Sequence, residues 1–333
     1  MWFRFISIFL FSFSSLLNAA GQNFLGDTLS QGQQYASVTV SMSDWHSSGD
    51  YVNDASIAGI DDSLRGFSDG NTKGYDFKTL LTYKYGLSRD LSMGFKYGYI
   101  YQKDEMNIDS TESAKYRGDW ITEGGTDLTI LAAYRLGESS SLDAFIDLPI
   151  CSSEDLKSLC QNKLATLDNA NQVGEAGGQG KGFYRFGGAL SSNWITEMET
   201  HWMGSIFASA AVSDKIDGQK VTAPFTYGAS FGSVRPIKQN HMWTGTLTLT
   251  RMYNYVSYST QAQAKVKYSQ HSRLEFKAEY LWDFMPNVQL RPFAEFAMVQ
   301  LPTQSFISEG QRRSIEFTSG THVTLGAVIS TTF

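Results

Sequence analysis

The sequence predicts an all-β fold: a transmembrane, antiparallel, up-and-down β-barrel. Three observations predict it. Side chains alternate between apolar and polar with period two over most of the chain. The alternating runs are about 11–15 residues long, whereas strands of globular proteins centre on roughly 5–6. The composition is apolar and aromatic, yet wet. Of 333 residues, 42% are hydrophobic, 14% aromatic and 18% charged, with 30 Gly and only 6 Pro. An ordinary soluble domain carries about 25% charged residues. The mean hydropathy is nevertheless −0.25, which excludes a polytopic helical membrane protein. The aromatic content excludes a disordered chain, and a sequence pI near 5.4 speaks against a nucleic-acid binder.

The chain begins with an export signature. Arg4 supplies a positive start, residues 5–17 form an apolar run, and Asn18, Ala19, Ala20 and Gly21 offer small residues for cleavage. Residues 1–20 are therefore expected to be a signal peptide. Residues 21–33 form a short N-terminal segment, and residues 34–333 form the barrel. Cys151 and Cys160 bracket the polar stretch SSEDLKSL. In an oxidising compartment they are expected to form a loop-stapling disulfide.

The strands can be read in order. Tyr75, Phe77, Thr79, Leu81, Tyr83 and Tyr85 alternate with Asp76, Lys78, Leu80, Thr82 and Lys84. After a tight turn at 86–90, Leu91, Met93, Phe95, Tyr97, Tyr99 and Tyr101 alternate with Ser92, Gly94, Lys96, Gly98 and Gln102, with Ile100 as an exception. Successive strand residues point to opposite faces, so this is a hairpin with one apolar face. The pattern recurs at Leu128–Tyr134, Leu142–Leu148, Leu274–Trp282 and Val288–Met298, and more weakly near 34–44, 182–194, 199–212, 221–234, 241–255 and 260–270. Aromatic residues gather near strand ends (Tyr75, Tyr85, Tyr101, Tyr134, Trp194, Trp202, Trp243 and Trp282), as in the girdles of membrane barrels. Short connections near 86–90, 137–141, 195–199, 235–240 and 269–272 alternate with long or polar ones near 45–73, 104–124, 152–181 and 213–220. That rhythm suits short periplasmic turns and long extracellular loops. The expected strand number is 14, with Ser314 to Phe317 rising before the final strand. The alternative is 12.

The last strand places Val323, Leu325, Ala327, Ile329 and Phe333 on one face, with Val328 interrupting the other. A terminal amphipathic strand closing on Phe resembles the assembly signal of Gram-negative outer-membrane β-barrels, carried here by Leu325, Ile329 and Phe333. The resemblance implies an outer-membrane location, contact with lipid and lipopolysaccharide, and folding by the barrel assembly machinery.

Charges facing lipid cost about 2–4 kcal/mol each for Lys or Arg at the midplane. The charged face should therefore line the lumen. The candidates are Asp76, Lys78, Lys84, Lys96, Asp127, Asp143, Asp147, Arg185, Lys265, Lys267, Glu275, Lys277, Glu279, Arg291 and Glu295. Both signs occur, which suits a weakly selective path for a small-molecule solute. The run Gly124-Gly125-Thr126-Asp127-Leu128, followed by Ala133-Tyr134-Arg135-Leu136, resembles a hairpin of the phenol-degradation-type and FadL-like outer-membrane channels. This resemblance implies passive uptake of small hydrophobic or aromatic molecules. The N-terminal plug of FadL-like channels is not evident in residues 21–33. A non-conducting structural or adhesive barrel acting through its loops is the alternative.

An enzymatic barrel is the competing class, and the expectation is that this chain is not one. Its site would need the five histidines. His201, His241 and His271 fall beside predicted short turns. His46 and His322 approach when the barrel closes, near Asp44 and Ser319, but alternation turns them to different sides. Asp50, Asp54, Asp61, Asp62, Asp69, Asp104, Glu105, Asp109, Glu112, Asp119 and Glu123 make the first two long connections acidic. Their spacing matches no calcium loop, so they are expected to form a solvated surface, with divalent-bridged lipopolysaccharide as a possible contact. No metal site, cofactor or nucleic-acid partner is expected.

Overall fold

A computed structural model of the chain describes residues 28–50, 67–110, 115–148, 184–196, 200–212, 214–216, 219–222, 225–238, 240–259, 264–285, 287–300, 304–308 and 311–333. The expected signal peptide and the expected Cys151–Cys160 disulfide lie outside the described residues. The strands are β1 (Gln34–Asp50), β2 (Phe67–Gly86), β3 (Leu91–Ser110), β4 (Lys115–Gly125), β5 (Leu128–Arg135), β6 (Ser140–Leu148), β7 (Arg185–Ile195), β8 (His201–Ala211), β9 (Asp214–Ile216), β10 (Gln219–Val221), β11 (Thr226–Lys238), β12 (His241–Met252), β13 (Tyr255–Ser259), β14 (Ala264–Tyr268), β15 (His271–Met285), β16 (Val288–Gln300), β17 (Gln304–Ser308) and β18 (Gln311–Thr332).

Among the described residues, twelve strands form the closed wall, in the order β1-β2-β3-β5-β6-β7-β8-β11-β12-β15-β16-β18, and β18 pairs back onto β1. Every neighbouring pair is antiparallel. Closure reaches the start of β1 and the end of β18: Gln34 N donates to Phe333 O at 2.8 Å, and Phe333 N donates to Gln34 O at 3.0 Å. β4 and β5 run successively along β3, separated by Thr126 and Asp127. Thr126 bridges the break: its N–H donates to Gly98 O at 2.8 Å, and its hydroxyl accepts from Gly98 N at 2.9 Å.

The start of β1 at Gln34, the C-terminal Phe333 and the short connections share one end of the barrel. In the connection at 87–90, Leu87 N and Ser88 N donate to Leu91 O, and the Ser88 hydroxyl accepts from Leu91 N at 3.1 Å. Asn240 and Asn287, each at φ 65°, make the tight connections before β12 and β16. Asn adopts this left-handed backbone more readily than other residues with a Cβ. The strand ends that lead into the longer connections share the opposite end. There β2, β3 and β18 run to 20, 20 and 22 residues, twice the roughly 9–11 that a tilted spanning strand needs.

The structure corrects the strand count from 14 to 12. The 260–270 region contributes only β14, five residues long, which pairs with β13 and β17 rather than with a wall strand. Five residues are too few to span. Ser314 to Phe317 do not rise separately: they belong to β18, whose start is paired by β17. A one-residue bulge, between the Ser48↔Ser319 and Gly49↔Phe317 pairs, keeps β18 continuous along β1. Two further expectations change for the same reason. His271 pairs with Met252, at the end with the long connections, not beside a short turn. Lys265 and Lys267 sit on β14, off the wall.

The N-terminal segment is fastened across the short-turn end. Gly32 N donates to Gly86 O, and Gly86 N to Gln33 O, both at 2.9 Å. Arg135, three wall positions away on β5, donates from Nε to the Thr28 hydroxyl at 3.0 Å and from Nη2 to Thr28 O at 3.3 Å. Thr28 and Leu29 are buried.

Inside the wall, Gly326 of β18 sits opposite Phe293 of β16. A Cβ there would come within 2.5 Å of Phe293 Cζ and 2.7 Å of Val40 O. Overpacking of this kind costs about 1–3 kcal/mol. Gly326→Ala is therefore expected to lower the urea midpoint of the folded barrel, with partial recovery in Gly326→Ala/Phe293→Ala, read by the mobility of unheated samples in gel electrophoresis.

Candidate functional site

Alternation assigns each wall strand an outer and an inner face, and the two differ sharply in chemistry. On β1, Val38, Val40 and Met42 are exposed whereas Ser37, Ser41, Ser43 and Trp45 are buried. On β15, Leu274, Phe276 and Trp282 are exposed whereas Glu275, Lys277, Glu279 and Leu281 are buried. Water-soluble proteins arrange polarity the other way. The exposed aromatics form two belts. Tyr85, Tyr134, Trp194, Trp243 and Trp282 lie toward the short-turn end; Tyr75, Tyr99, Tyr184, Phe225 and Tyr253 lie toward the other. Within the belts Trp202 stacks on Phe231 with centroids 5.3 Å apart, and Trp243 meets Tyr280 edge-on at 5.5 Å.

The inner face mixes apolar and charged groups. Leu131, Phe145, Ala189, Met203, Phe207, Val234, Met242 and Leu281 form a buried apolar cluster across β5, β6, β7, β8, β11, β12 and β15. On β15 and β16, charged residues are tied into pairs. Arg273 Nη2 lies 2.8 Å from both Glu275 Oε2 and Glu295 Oε1. It is also 3.2 Å from His322 Nδ1. His322 Nε2 continues to the Thr324 hydroxyl at 3.4 Å, and that hydroxyl to Ser43 at 3.1 Å. The Trp45 ring closes the network edge-on to His322 at 6.3 Å. Lower on β15, Lys277 lies 2.9 Å from Glu279 and 4.5 Å from the Phe293 ring centre, and the Thr244 hydroxyl donates to Glu279 at 3.4 Å. Asp147 and Arg185 pair at 2.6 Å, with the Thr129 hydroxyl donating to Asp147 at the same distance.

Of the fifteen charged residues singled out in the sequence, Lys84, Lys96, Asp143, Asp147, Glu275, Lys277, Glu279, Arg291 and Glu295 are buried in the wall strands. Asp76, Lys78, Asp127 and Arg185 are half-buried. Lys265 and Lys267 stand apart on β14, where the Lys267 side chain is exposed. The periodicity underestimated the apolar content of the inner face. Ile100 and Val328 read as interruptions of a polar face, and Leu131 and Phe145 fall in step with the polar positions Thr129, Asp143 and Asp147 of their strands. All four are buried inner-face residues. Thr28 and Leu29 lie before β1, where no alternation applies, and Tyr35 and Trp45 lie on β1, apolar-bodied side chains on its inner face.

Trp45 pairs with His322, and His46 with Thr321. His322 is buried and His46 exposed, so the two rings face opposite sides of the wall. Among the described residues, no group of three or more His, Cys, Asp or Glu is placed to hold a metal ion. In the extension of β2 and β3, Lys103 and Lys73 bond Glu105 and hold its carboxyl below the usual range.

No protein-family model matches the chain, and no curated protein does. Solved structures give fold-level likenesses. The COG4313 outer membrane channel from Pseudomonas putida F1 is 14% identical, with 92% of this chain and 97% of that one covered and a TM-score of 0.48. A Pseudomonas aeruginosa FadL homologue is 10% identical over 90% of each chain, at 0.40. The outer membrane protease OmpT from Escherichia coli is 8% identical over 94% of this chain and 99% of that one, at 0.39. At TM-scores below 0.5 these likenesses carry no functional argument here. The closed wall and its inverted polarity, on their own, define the class: a β-barrel of the outer-membrane type.

Removing the cation from a buried ionic cluster typically costs about 3–5 kcal/mol, because the remaining charges stay buried. Arg273→Ala is expected to destabilise the barrel by about that much in urea unfolding from lipid vesicles. Glu275→Gln and Glu295→Gln added together should recover part of the loss. Full stability in Arg273→Ala would show that the cluster is not a unit.

Proposed function

We propose that this chain is an outer-membrane channel for passive passage of small solutes. The observation that carries the reading is the inner face itself: buried charged pairs and an apolar cluster, enclosed by a single-layer wall. Lipid cannot reach that face, and a strand barrel needs no buried charge to be stable in a membrane. Paired buried charges are weak evidence for stability, since well-packed apolar residues often serve as well. A polar route is the use that accounts for them. The apolar cluster of Leu131, Phe145, Met203, Phe207, Val234, Met242 and Leu281 supports solutes with a hydrophobic or aromatic body. In this reading the short connections are periplasmic and the long ones extracellular, the charged inner-face residues line the path, and residues 1–20 direct export. Leu325, Ile329 and Phe333 present the outward apolar edge read by the barrel assembly machinery, and lipid and lipopolysaccharide surround the wall.

One observation favours a second reading. Most inner charges have their partners within the wall, and the inner side chains are largely buried. That suits a barrel that fills itself, as small barrels do, whereas wide porins of 16–18 strands leave an open channel. Twelve strands lie between these cases. Flux decides between them. Purified protein in proteoliposomes is expected to admit small neutral and aromatic solutes faster than protein-free vesicles, with discrete conductance steps in planar bilayers. Neither flux nor conductance from correctly folded protein would assign the self-filled barrel instead.

A further inference from the structure

The aromatic belt at the short-turn end carries a histidine with a fixed tautomer. His241 pairs with Trp282 on β15, and Trp243 pairs with Arg235 on β11 and with Tyr280 on β15. All five residues belong to the outward face, where Arg235, Trp243 and Trp282 are exposed and His241 and Tyr280 half-buried. The Tyr280 hydroxyl lies 2.6 Å from His241 Nδ1. A phenol is the better donor and an imidazole nitrogen the better acceptor, so the hydroxyl donates and the ring proton sits on Nε2. His241 also lies parallel to Trp282, at 10° with centroids 6.1 Å apart. A bond and a stack therefore fix the ring, and Nε2–H on its other edge meets no acceptor among the described residues.

Arg235 brings a charge to the same place. It opposes Trp243, and His241 lies two positions further along β12, the diagonal relation across which long side chains still meet, about 7–8 Å apart. No ion pair among the described residues holds its guanidinium, and the outward faces of β11, β12 and β15 carry no carboxylate among those residues. Toward the middle of the wall, Ser233, Gly245 and Ala278 make a row of small residues, and a Cβ at Gly245 would meet nothing within 4 Å. Phe231, Leu247 and Phe276, all exposed, make the next outward row. Two hydrogen-bond donors thus stand at the edge of a shallow apolar floor.

We infer that Arg235 and His241 bind the phosphodiester headgroup of a glycerophospholipid. Its non-bridging oxygens accept from the guanidinium and from Nε2–H, charge-assisted bonds that a belt of aromatic rings does not supply. The Trp243 and Trp282 rings sit at headgroup depth, as interfacial aromatics do, and the acyl chains lie over Gly245 toward Leu247 and Phe276. The inference rests on the reading of the short connections as periplasmic. In that orientation the leaflet at this end is the phospholipid one, and lipopolysaccharide belongs to the other.

Native mass spectrometry of the purified full-length barrel, released from detergent, counts the lipid it retains. The probes are dioleoyl phosphatidylglycerol, dioleoylglycerol, which has the same chains and no phosphate, and lipid A. One phosphatidylglycerol is expected to be held about tenfold or more tightly than dioleoylglycerol, the scale of one hydrogen bond to a charged group, and more tightly than lipid A. Arg235→Gln, and His241→Phe, which keeps a ring without the N–H, should each lower phosphatidylglycerol to the dioleoylglycerol level. Arg235→Lys keeps the charge without the fork, should fall between, and serves if His241→Phe does not fold. Equal retention with and without the phosphate, no retained lipid, tighter retention of lipid A, or an unaltered preference in the folded variants would each overturn the site. Phosphatidylglycerol held through Arg235 in a barrel whose short connections are cut by protease added to whole cells would leave the site standing and remove the orientation.

Discussion

Every backbone N–H and C=O within a hydrocarbon layer must find a partner inside the protein, since lipid offers none. For a sheet, that requirement means closure. The pairing of β1 with β18 supplies it, over a register from Tyr35↔Thr332 to Asp50↔Glu316, and the Gln34 and Phe333 backbones bond each other in both directions at the chain ends. Much else follows. A closed single layer has two faces, and period two assigns every side chain to one of them. Where the pairing is interrupted, as between β4 and β5, a side chain steps in: the Thr126 hydroxyl takes the Gly98 N–H.

The inner face answers a different constraint. Charges inside the wall are screened little by solvent, so each tends to find its opposite at short range. Arg273 with two carboxylates, Lys277 with Glu279, and Arg185 with Asp147 meet that demand. These groupings join residues 2 to 38 positions apart, drawn from one strand or two. The Arg185–Asp147 pair lies among the strands of the apolar cluster, with Arg185 over the Phe145 ring at 5.2 Å, so charged and apolar groups share the inner face.

Much of the wall was legible in the sequence because burial in a barrel follows period two directly. Tyr75 through Tyr101, Leu128 through Leu148 and Leu274 through Met298 become β2, β3, β5, β6, β15 and β16 with their apolar sets outward. The misreadings cluster where strands leave the wall. The 260–270 segment alternates like a wall strand but stops after five residues, because it pairs with other short strands beyond the wall. Residues 304–332 were divided wrongly because a hairpin with β17 and a bulge opposite Ser48 and Gly49 leave little trace in composition. Ile100, Leu131, Phe145 and Val328 broke the expected polarity, since a strand's own alternation shows which face a residue takes but not which inner side chains it will meet from other strands.

The amino-acid sequence by itself determined the barrel class, the outward belt and the identity of most inner-face charges, since each depends only on local alternation and on the solvent beyond each face. The tertiary structure alone decided that twelve strands close, that the N-terminal segment is held by Gly86 and Arg135, and that Arg291 of β16 bonds Tyr35 of β1. All of these depend on which strands become adjacent and in what register. That is settled by closure of the whole sheet, a condition no single strand carries.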